Sequence, residues 1–232
     1  MAANKGRSDH TDYLFIAAKN IAIKTFQEGM TANNALKLAS EAFWFGNHLI
    51  EHFETTEPVS EPLACKAGCY YCCFYQVLLP PLETLLIGNY VETTYTEQAK
   101  QDLMRRIERT LQLTDAKSVQ ERMAIWHDTP CIFLSNGRCS VYDARPLICA
   151  AWHSLDFNQC KEAFESNNPW AGIDGYPYRY HIFQTIRAGL REACTNVGCQ
   201  TDSLAIAKAM KQYLTHEHPI EAWIEGDKVF KY

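Results

Sequence analysis

Apolar residues recur roughly every three to four positions over much of this chain, and that spacing predicts a mainly α-helical protein. Helices are predicted over residues 9–26 and from residue 31 to about residue 53. The clearest apolar stripe runs through residues 96–113, where it returns every four positions and leaves the opposite face polar. Further helices are predicted over residues 178–194 and 202–214.

Breaks in this pattern divide the chain into four parts. Residues 1–54 are predicted to form an N-terminal helical hairpin, and the acidic, proline-containing residues 55–62 are predicted to form a linker. Residues 63–165 hold most of the cysteines, and residues 166–232 are expected to supply C-terminal helices that pack on this core. The expected fold is a helical domain with a compact cysteine-rich metal-binding core that contains a short β-hairpin.

Four cysteines fall within nine residues at the start of the core: Cys65, Cys69, Cys72 and Cys73. On a helix, their side chains would lie within an arc of roughly 100°, so that all four sulfurs would face one way. Thiolates are soft, strongly donating ligands, and thiols placed this close together readily capture metal or become oxidised. This segment is therefore the first candidate for a metal site.

A second group of cysteines follows further along the chain: Cys131, Cys139, Cys149 and Cys160. Two short apolar stretches flank Asn136-Gly137, a dipeptide typical of tight hairpin turns, and this turn would bring Cys131 and Cys139 together. A helix starting within residues 143–146 would carry Cys149 and His153 on one face, because they are four positions apart. We expect the fold to bring the two groups together around metal.

Composition and charge narrow the function classes. The net charge of −5 and the pI of about 5.9 argue against a nucleic-acid partner. The polar N-terminus and the shortness of the apolar runs argue against a secretory signal and a membrane span, so the predicted location is cytoplasmic. Ten cysteines in such a chain favour metal ligands or redox groups over disulfides.

Two other patterns are weaker. His48, Glu51 and His52 match the H-x-x-E-H pattern of inverted zinc peptidases, but we interpret them as ordinary histidines of a helix, and the catalytic residues stay unknown. Cys194 and Cys199 are either two ordinary small residues at a helix end or an accessory thiol pair.

The order and spacing of the cysteine motifs resemble the YkgJ-type cysteine-cluster family, which is described as a zinc- or iron-chelating domain with a CxxCxxCC signature. The motifs that carry the resemblance are Cys65-x3-Cys69-x2-Cys72-Cys73, Cys131-x-Phe133-Leu134 and Cys139-x-Val141-Tyr142-x2-Arg145-Pro146-x2-Cys149. The chain departs from the family in having three residues after the first cysteine instead of two. It also has Ala150 where members commonly have arginine.

The resemblance implies that the bound cofactor is zinc or iron, including a [4Fe–4S] cluster, held by the eight cysteines between Cys65 and Cys160. Either centre with four thiolates has a net charge near −2, so we expect Arg145 to offset it, with Tyr142 and His153 nearby. Eight cysteines exceed the needs of one centre, so either two metals are bound or some thiols are spare.

Three functions stay open at this stage. The first is a metal-binding protein with a structural or redox-active centre. The second is a metal-dependent enzyme, such as a protein-modifying methyltransferase or an oxidoreductase, because flagellin lysine methylases contain a similar cysteine cluster. The third is a metal carrier or partner-binding module. The partners are therefore a metal ion and, in the second and third cases, a protein partner or substrate.

Overall fold

The computed structural model describes residues 5–57 and 59–231, with only the backbone described for residues 5–11. Residues 1–4, 58 and 232, which belong to the predicted hairpin, linker and C-terminal helices, lie outside the described residues. The helices in the described chain are α1 Lys5–Glu28, α2 Ala32–Thr56, α3 Pro81–Thr94, α4 Glu97–Thr114, α5 Val119–Ala124, α6 Leu147–Ala151, α7 Phe157–Glu165, α8 Pro177–Asn196, α9 Ile206–Thr215 and α10 Pro219–Ile224. The predicted mainly α fold class is confirmed.

The strands are short and form two antiparallel pairs: β1 Leu78–Leu79 with β4 Leu204–Ala205, and β2 Leu134–Ser135 with β3 Arg138–Cys139. The second pair is the predicted hairpin, in which Leu134 lies opposite Cys139. Its turn residues Asn136 and Gly137 both have positive φ, at 50° and 71°. Asparagine and glycine tolerate this conformation better than other residues, which explains why the sequence signal was reliable here.

Close packing against α8 organises the long helices. α1 lies mainly along α8, with which it makes more extensive contact than with α2. A Cβ on Gly189 would stand 2.7 Å from the carbonyl oxygen of Phe15, and a Cβ on Gly46 of α2 would stand 2.4 Å from the ring of Phe183. Glycines at these two crossings therefore allow α1 and α2 to approach α8 closely. α3 and α4 both pack on α9.

Near the cysteines, one conditional arrangement, a helix through the first cysteine group, does not form, and one prediction was wrong. Residues 65–70 are not helical, because Gly68 takes a positive φ of 90° that ends any helical course, and only residues 71–74 form a 3₁₀ turn. The helix predicted to carry both Cys149 and His153 is only α6, which ends at Ala151. His153 lies beyond it in extended chain, so the two residues do not share a helix face.

No helix within the described ranges combines the length and the apolar character that crossing a bilayer requires.

Gly88 gives a test of the packing between α3 and α9. A Cβ at this position would lie 2.3 Å from the ring of Tyr213, which is fully buried and donates its hydroxyl to Glu92 at 2.9 Å. We expect Gly88→Ala to lower the free energy of unfolding by ~1–3 kcal/mol, because overpacking outweighs the gain in helix propensity. Urea denaturation measures the change. Gly172→Ala is the control, since nothing lies within 4 Å of its added methyl group, and equal stability of the two variants would contradict the packing argument.

Candidate metal site

A cavity of about 310 Å³ lies between the first cysteine segment, α6, α7 and the chain at residues 169–173. Four of the predicted ligands line it, and together they are called the cavity set: Cys65, Cys69, Cys72 and Cys160. The rest of the wall is largely aromatic or small and apolar, formed by Tyr71, Tyr75, Trp126, Ala151, Trp152, His153, Ser154, Ala163, Pro169, Ala171, Ile173 and Tyr180. Cys65 and Cys72 are exposed residues, whereas Cys69 and Cys160 are half-buried.

Backbone hydrogen bonds and ring contacts hold the cavity set in place. The N–H of Ser154 donates to the sulfur of Cys65 at 3.3 Å, and the N–H of Ala64 donates back to the carbonyl of Ser154 at 2.9 Å. Cys160 lies on α7, whose N-cap residue is Asp156; the side chain of Asp156 accepts from the N–H of Asn158 at 2.7 Å. The two bonds of Ser154 join residues about ninety positions apart in the chain at one wall of the cavity.

The aromatic residues beside the cysteines fix α7 against the 3₁₀ turn at residues 71–74. The ring of Tyr71 lies 5.5 Å from that of Phe157 and 5.4 Å from that of Phe164, and Phe74 contacts Phe164 at 4.7 Å. Such inclined ring pairs stabilise the contact beyond the apolar area that they bury. Cys160 is thereby held near the first cysteine segment.

The remaining four predicted ligands form the inner set: Cys73, Cys131, Cys139 and Cys149. The N–H of Cys131 donates to the carbonyl of Cys73 at 2.6 Å, which joins the first segment directly to the start of the hairpin region. Cys139 stands on β3 of that hairpin, and Cys149 lies on α6.

Cys72 is the point at which the two sets meet. Burial is the main cause that raises the pKa of the following thiols, and ionisation of Cys72 would raise the pKa of each one further: Cys65, Cys69, Cys131, Cys139, Cys149 and Cys160. A hydrogen bond with the thiol of Cys73, followed by burial, raises the pKa of Cys72 itself far above the ordinary value of 9.0. The structure therefore gathers cysteines from segments widely separated in sequence. No three His, Cys, Asp or Glu side chains of the described residues are arranged to hold a metal ion as they stand.

Burial is the main reason that these thiols keep their protons, and backbone amides act against it. Burial raises the pKa of Cys131 to about 12 and also raises the pKa of Cys69 and of Cys139. In each of these three cases, hydrogen bonding from the N–H of the residue two positions later lowers the pKa again. An N–H directed at sulfur stabilises a thiolate, so these donors suit sulfurs that bind metal.

Arg145 supplies the positive charge that the sequence led us to expect here. Its guanidinium lies 4.3 Å from the ring centre of Tyr142 and 5.8 Å from that of Phe43, and its charge lowers the pKa of Cys72 and Cys139. Its Nε is buried and has no hydrogen-bond partner within the described chain. A buried cationic donor without a partner, next to several sulfurs, fits the negative charge of a metal–thiolate centre.

His153 lines the cavity, but its ring nitrogens are both engaged by the backbone. Nε2 accepts from the N–H of Tyr176 at 2.6 Å, and Nδ1 lies 2.8 Å from the carbonyl of Ala151, to which it must donate because a carbonyl only accepts. The ring is therefore neutral, and burial lowers its pKa. His153 thus holds the backbone of Tyr176 by a hydrogen bond. Its ring has no lone pair left to bind a metal.

Glu83 is a buried residue that positions Cys149, and no sequence pattern indicated this role. Oε2 of Glu83 accepts from the N–H of Leu147, the first residue of α6, at 2.8 Å, while Oε1 lies 2.8 Å from Nε of Arg187. Arg187 also donates to the carbonyl of Leu78 at 2.9 Å. A single glutamate within the apolar run of residues 82–87 is the only sequence signal for this role.

The other candidate residues lie elsewhere. His48 and His52 are exposed on α2, and the ring of His48 stacks on Trp44 at 4.9 Å. Cys194 and Cys199 are buried at the end of α8, where burial raises their pKa values to about 12 and about 11. Neither cysteine lines the cavity that holds Cys65.

The helical frame and the gathered sulfurs define a cysteine-rich metal-binding domain. Residues 64–169 match the family model described as "CxxCxxCC: Putative zinc- or iron-chelating domain", which is the cysteine-cluster family that the motifs resemble. The match covers less than half of the chain and includes all eight cysteines of the two sets. No curated protein and no solved structure matches the chain.

We expect Arg145→Ala to weaken metal retention by roughly 10–100-fold, because it removes the cation and the free donor beside the sulfurs. Arg145→Lys should recover only part of the loss, since an ammonium lacks the planar fork of donors. Competition with a chelator measures retention. Arg105→Ala is the matched control, because Arg105 is exposed on α4 and pairs only with Asp102 in its neighbourhood. Full metal retention by Arg145→Ala would show that Arg145 acts at the surface instead.

Proposed function

We propose that this protein binds zinc or iron through both cysteine sets and that the cavity set and the inner set each hold one centre. The observation that carries the proposal is that the first cysteine segment contacts both groups of cysteines. Cys72 lines the cavity with Cys65, Cys69 and Cys160, while the carbonyl of Cys73 accepts from the N–H of Cys131 at 2.6 Å. Zinc and [4Fe–4S] clusters each take four thiolates, which matches the number of cysteines in each set. Cys72 belongs to the cavity set and Cys73 to the inner set.

In this proposal, the protein contributes ligands, charge balance and hydrogen bonds. The cysteines move the short distance needed to converge on metal, and the backbone N–H groups and Arg145 stabilise the thiolates once they have lost their protons. A bound zinc ion would cross-link the segments, whereas an iron–sulfur cluster would add one-electron chemistry. His153 stays bound to the backbone in both cases.

A reducing compartment suits this function. All ten cysteines are free thiols, and clustered thiols persist in the cytosol because glutathione and thioredoxin keep them reduced. We therefore place the protein in the cytoplasm. The matched family description names metal chelation and no reaction, so metal binding is the function that we propose.

Elemental analysis of anaerobically purified protein tests the two-centre assignment. We expect about two equivalents of zinc or about eight iron atoms per chain. Cys160→Ser should remove about half of the metal by disrupting the cavity set, and Cys139→Ser should remove the other half. The double variant His48→Gln/His52→Gln is the control and should keep full metal content, because we expect these exposed histidines to bind none. Loss of all metal from either cysteine variant would favour a single shared centre.

Metal binding should release protons, because the cavity-set thiols all have pKa values raised by their surroundings. Adding zinc to metal-free protein at about pH 7 should release close to four protons per bound ion. Affinity should rise between about pH 6 and about pH 8, because protons compete with metal for the sulfurs. A pH indicator in weakly buffered solution counts the protons. Release of one proton or fewer would contradict an all-thiolate site.

A further inference from the structure

Three aromatic rings meet at the wall of the cysteine cavity. The ring of Tyr75 lies 4.9 Å from Trp126 at an interplanar angle of 49°, and 5.2 Å from Trp152 at 57°. All three residues line the cavity, as do Tyr71 and Tyr180. These rings are tilted against one another instead of stacking flat, and they make this part of the cavity lining aromatic.

The polar groups of the same wall are largely occupied within the protein. Both ring nitrogens of His153 contact backbone groups, and the hydroxyl of Ser154 donates to the carbonyl of Asp156 at 2.7 Å. No Asp, Glu, Lys or Arg of the described residues lines this cavity. Besides tyrosine hydroxyls, the wall therefore offers a ligand only π faces, small apolar groups and sulfur.

These features select a particular kind of ligand. The electron-rich face of an aromatic ring attracts a cation, and a cysteine-bound metal centre in the same cavity adds negative charge. A primary ammonium would bring three N–H donors that need acceptors, whereas a quaternary ammonium has none and presents only methyl groups. The cavity of about 310 Å³ is at the small end of the range for ligand pockets, and a metal centre at its cysteines would take part of that space, so the ligand can be no larger than a choline-sized group.

We propose that this cavity binds a methylated ammonium group between its aromatic wall and its metal-loaded cysteines. The proposal rests on the proposed function, since the bound metal centre supplies the negative charge. Among the aromatic residues of the lining, Trp152 and Tyr180 are 43% and 44% exposed, whereas Trp126 is 1% exposed.

Calorimetry with the metal-loaded protein tests the charge requirement. Choline should bind roughly 3- to 30-fold more tightly than 3,3-dimethylbutan-1-ol, which has the same shape but carries a neutral carbon in place of nitrogen. A peptide bearing trimethyl-lysine, compared with the unmodified peptide, distinguishes a protein side chain from a free small molecule as the source of the group. Equal affinity for choline and its neutral analogue, with no preference between the peptides, would overturn the proposal.

Variants of Trp152 test the role of the rings. Trp152→Leu should remove most of the preference for choline, while Trp152→Phe should keep part of it because a π face remains. Trp44→Leu is the matched control, since Trp44 is 64% exposed on α2 and does not line the cavity. Unchanged selectivity in Trp152→Leu would overturn the role assigned to the rings.

Metal analysis of the same samples separates this proposal from the proposed function. Retained metal without choline selectivity overturns the ammonium site alone. A wild-type protein that holds no metal overturns the proposed function and this inference with it. Removing the metal by chelation should reduce the choline preference, because the negative charge is lost with it.

Discussion

A buried carboxylate joins the parts of the molecule that hold the cysteines. Glu83 is only 6% exposed, and it contacts both the first residue of α6 and the guanidinium of Arg187 on α8. Arg187 in turn reaches Leu78, at the end of the segment that carries the first cysteine group. Removing either member of such a buried ion pair leaves an unpaired charge in the interior, which typically destabilises a protein by ~3–5 kcal/mol. The site thus depends on a contact that contains none of its ligands.

The cysteine region has opposite requirements with and without metal. Without metal, burial favours the neutral thiol, and neighbouring sulfurs discourage one another from ionising. With metal, the same sulfurs must be thiolates, and the amide donors and Arg145 favour that state. Neutral cysteines would not compensate the buried Nε of Arg145, which has no hydrogen-bond partner among the described residues, whereas thiolates would. The polar features of the site make sense as parts of the charged, metal-bound form.

The sequence predicted those features that depend on local chemistry. Asn136-Gly137 identified the hairpin because few other residues accept its turn conformation, and apolar periodicity located the long helices. The family motifs identified the segment that matches the cysteine-cluster family model. Periodicity could not predict the course of residues 65–70, because Gly68 redirects the backbone after only three residues. The helix carrying Cys149 was predicted too long, because nothing local to the sequence shows that residues 152–153 turn away to meet Tyr176.

Features that arise from distant contacts were outside the reach of the sequence. The role of Glu83 depends on its contacts with α6 and α8, which are distant from α3 in the sequence. The aromatic wall around Tyr75 also combines residues from distant segments. The backbone hydrogen bond between Cys73 and Cys131 likewise joins segments almost sixty residues apart. Each of these contacts depends on how helices pack, and no short pattern records that arrangement.

The adjacency of Cys72 and Cys73 has a mechanical consequence in the proposed assignment. One peptide bond separates a ligand of the cavity set from a ligand of the inner set, and that bond lies within a rigid 3₁₀ turn of four residues. Rotation about the Cα–Cβ bond lets either sulfur adjust on its own, but a shift of the shared backbone moves both. Filling one centre would therefore alter the position of one ligand of the other centre. Either centre could be filled alone, but with an affinity that depends on whether its neighbour is occupied.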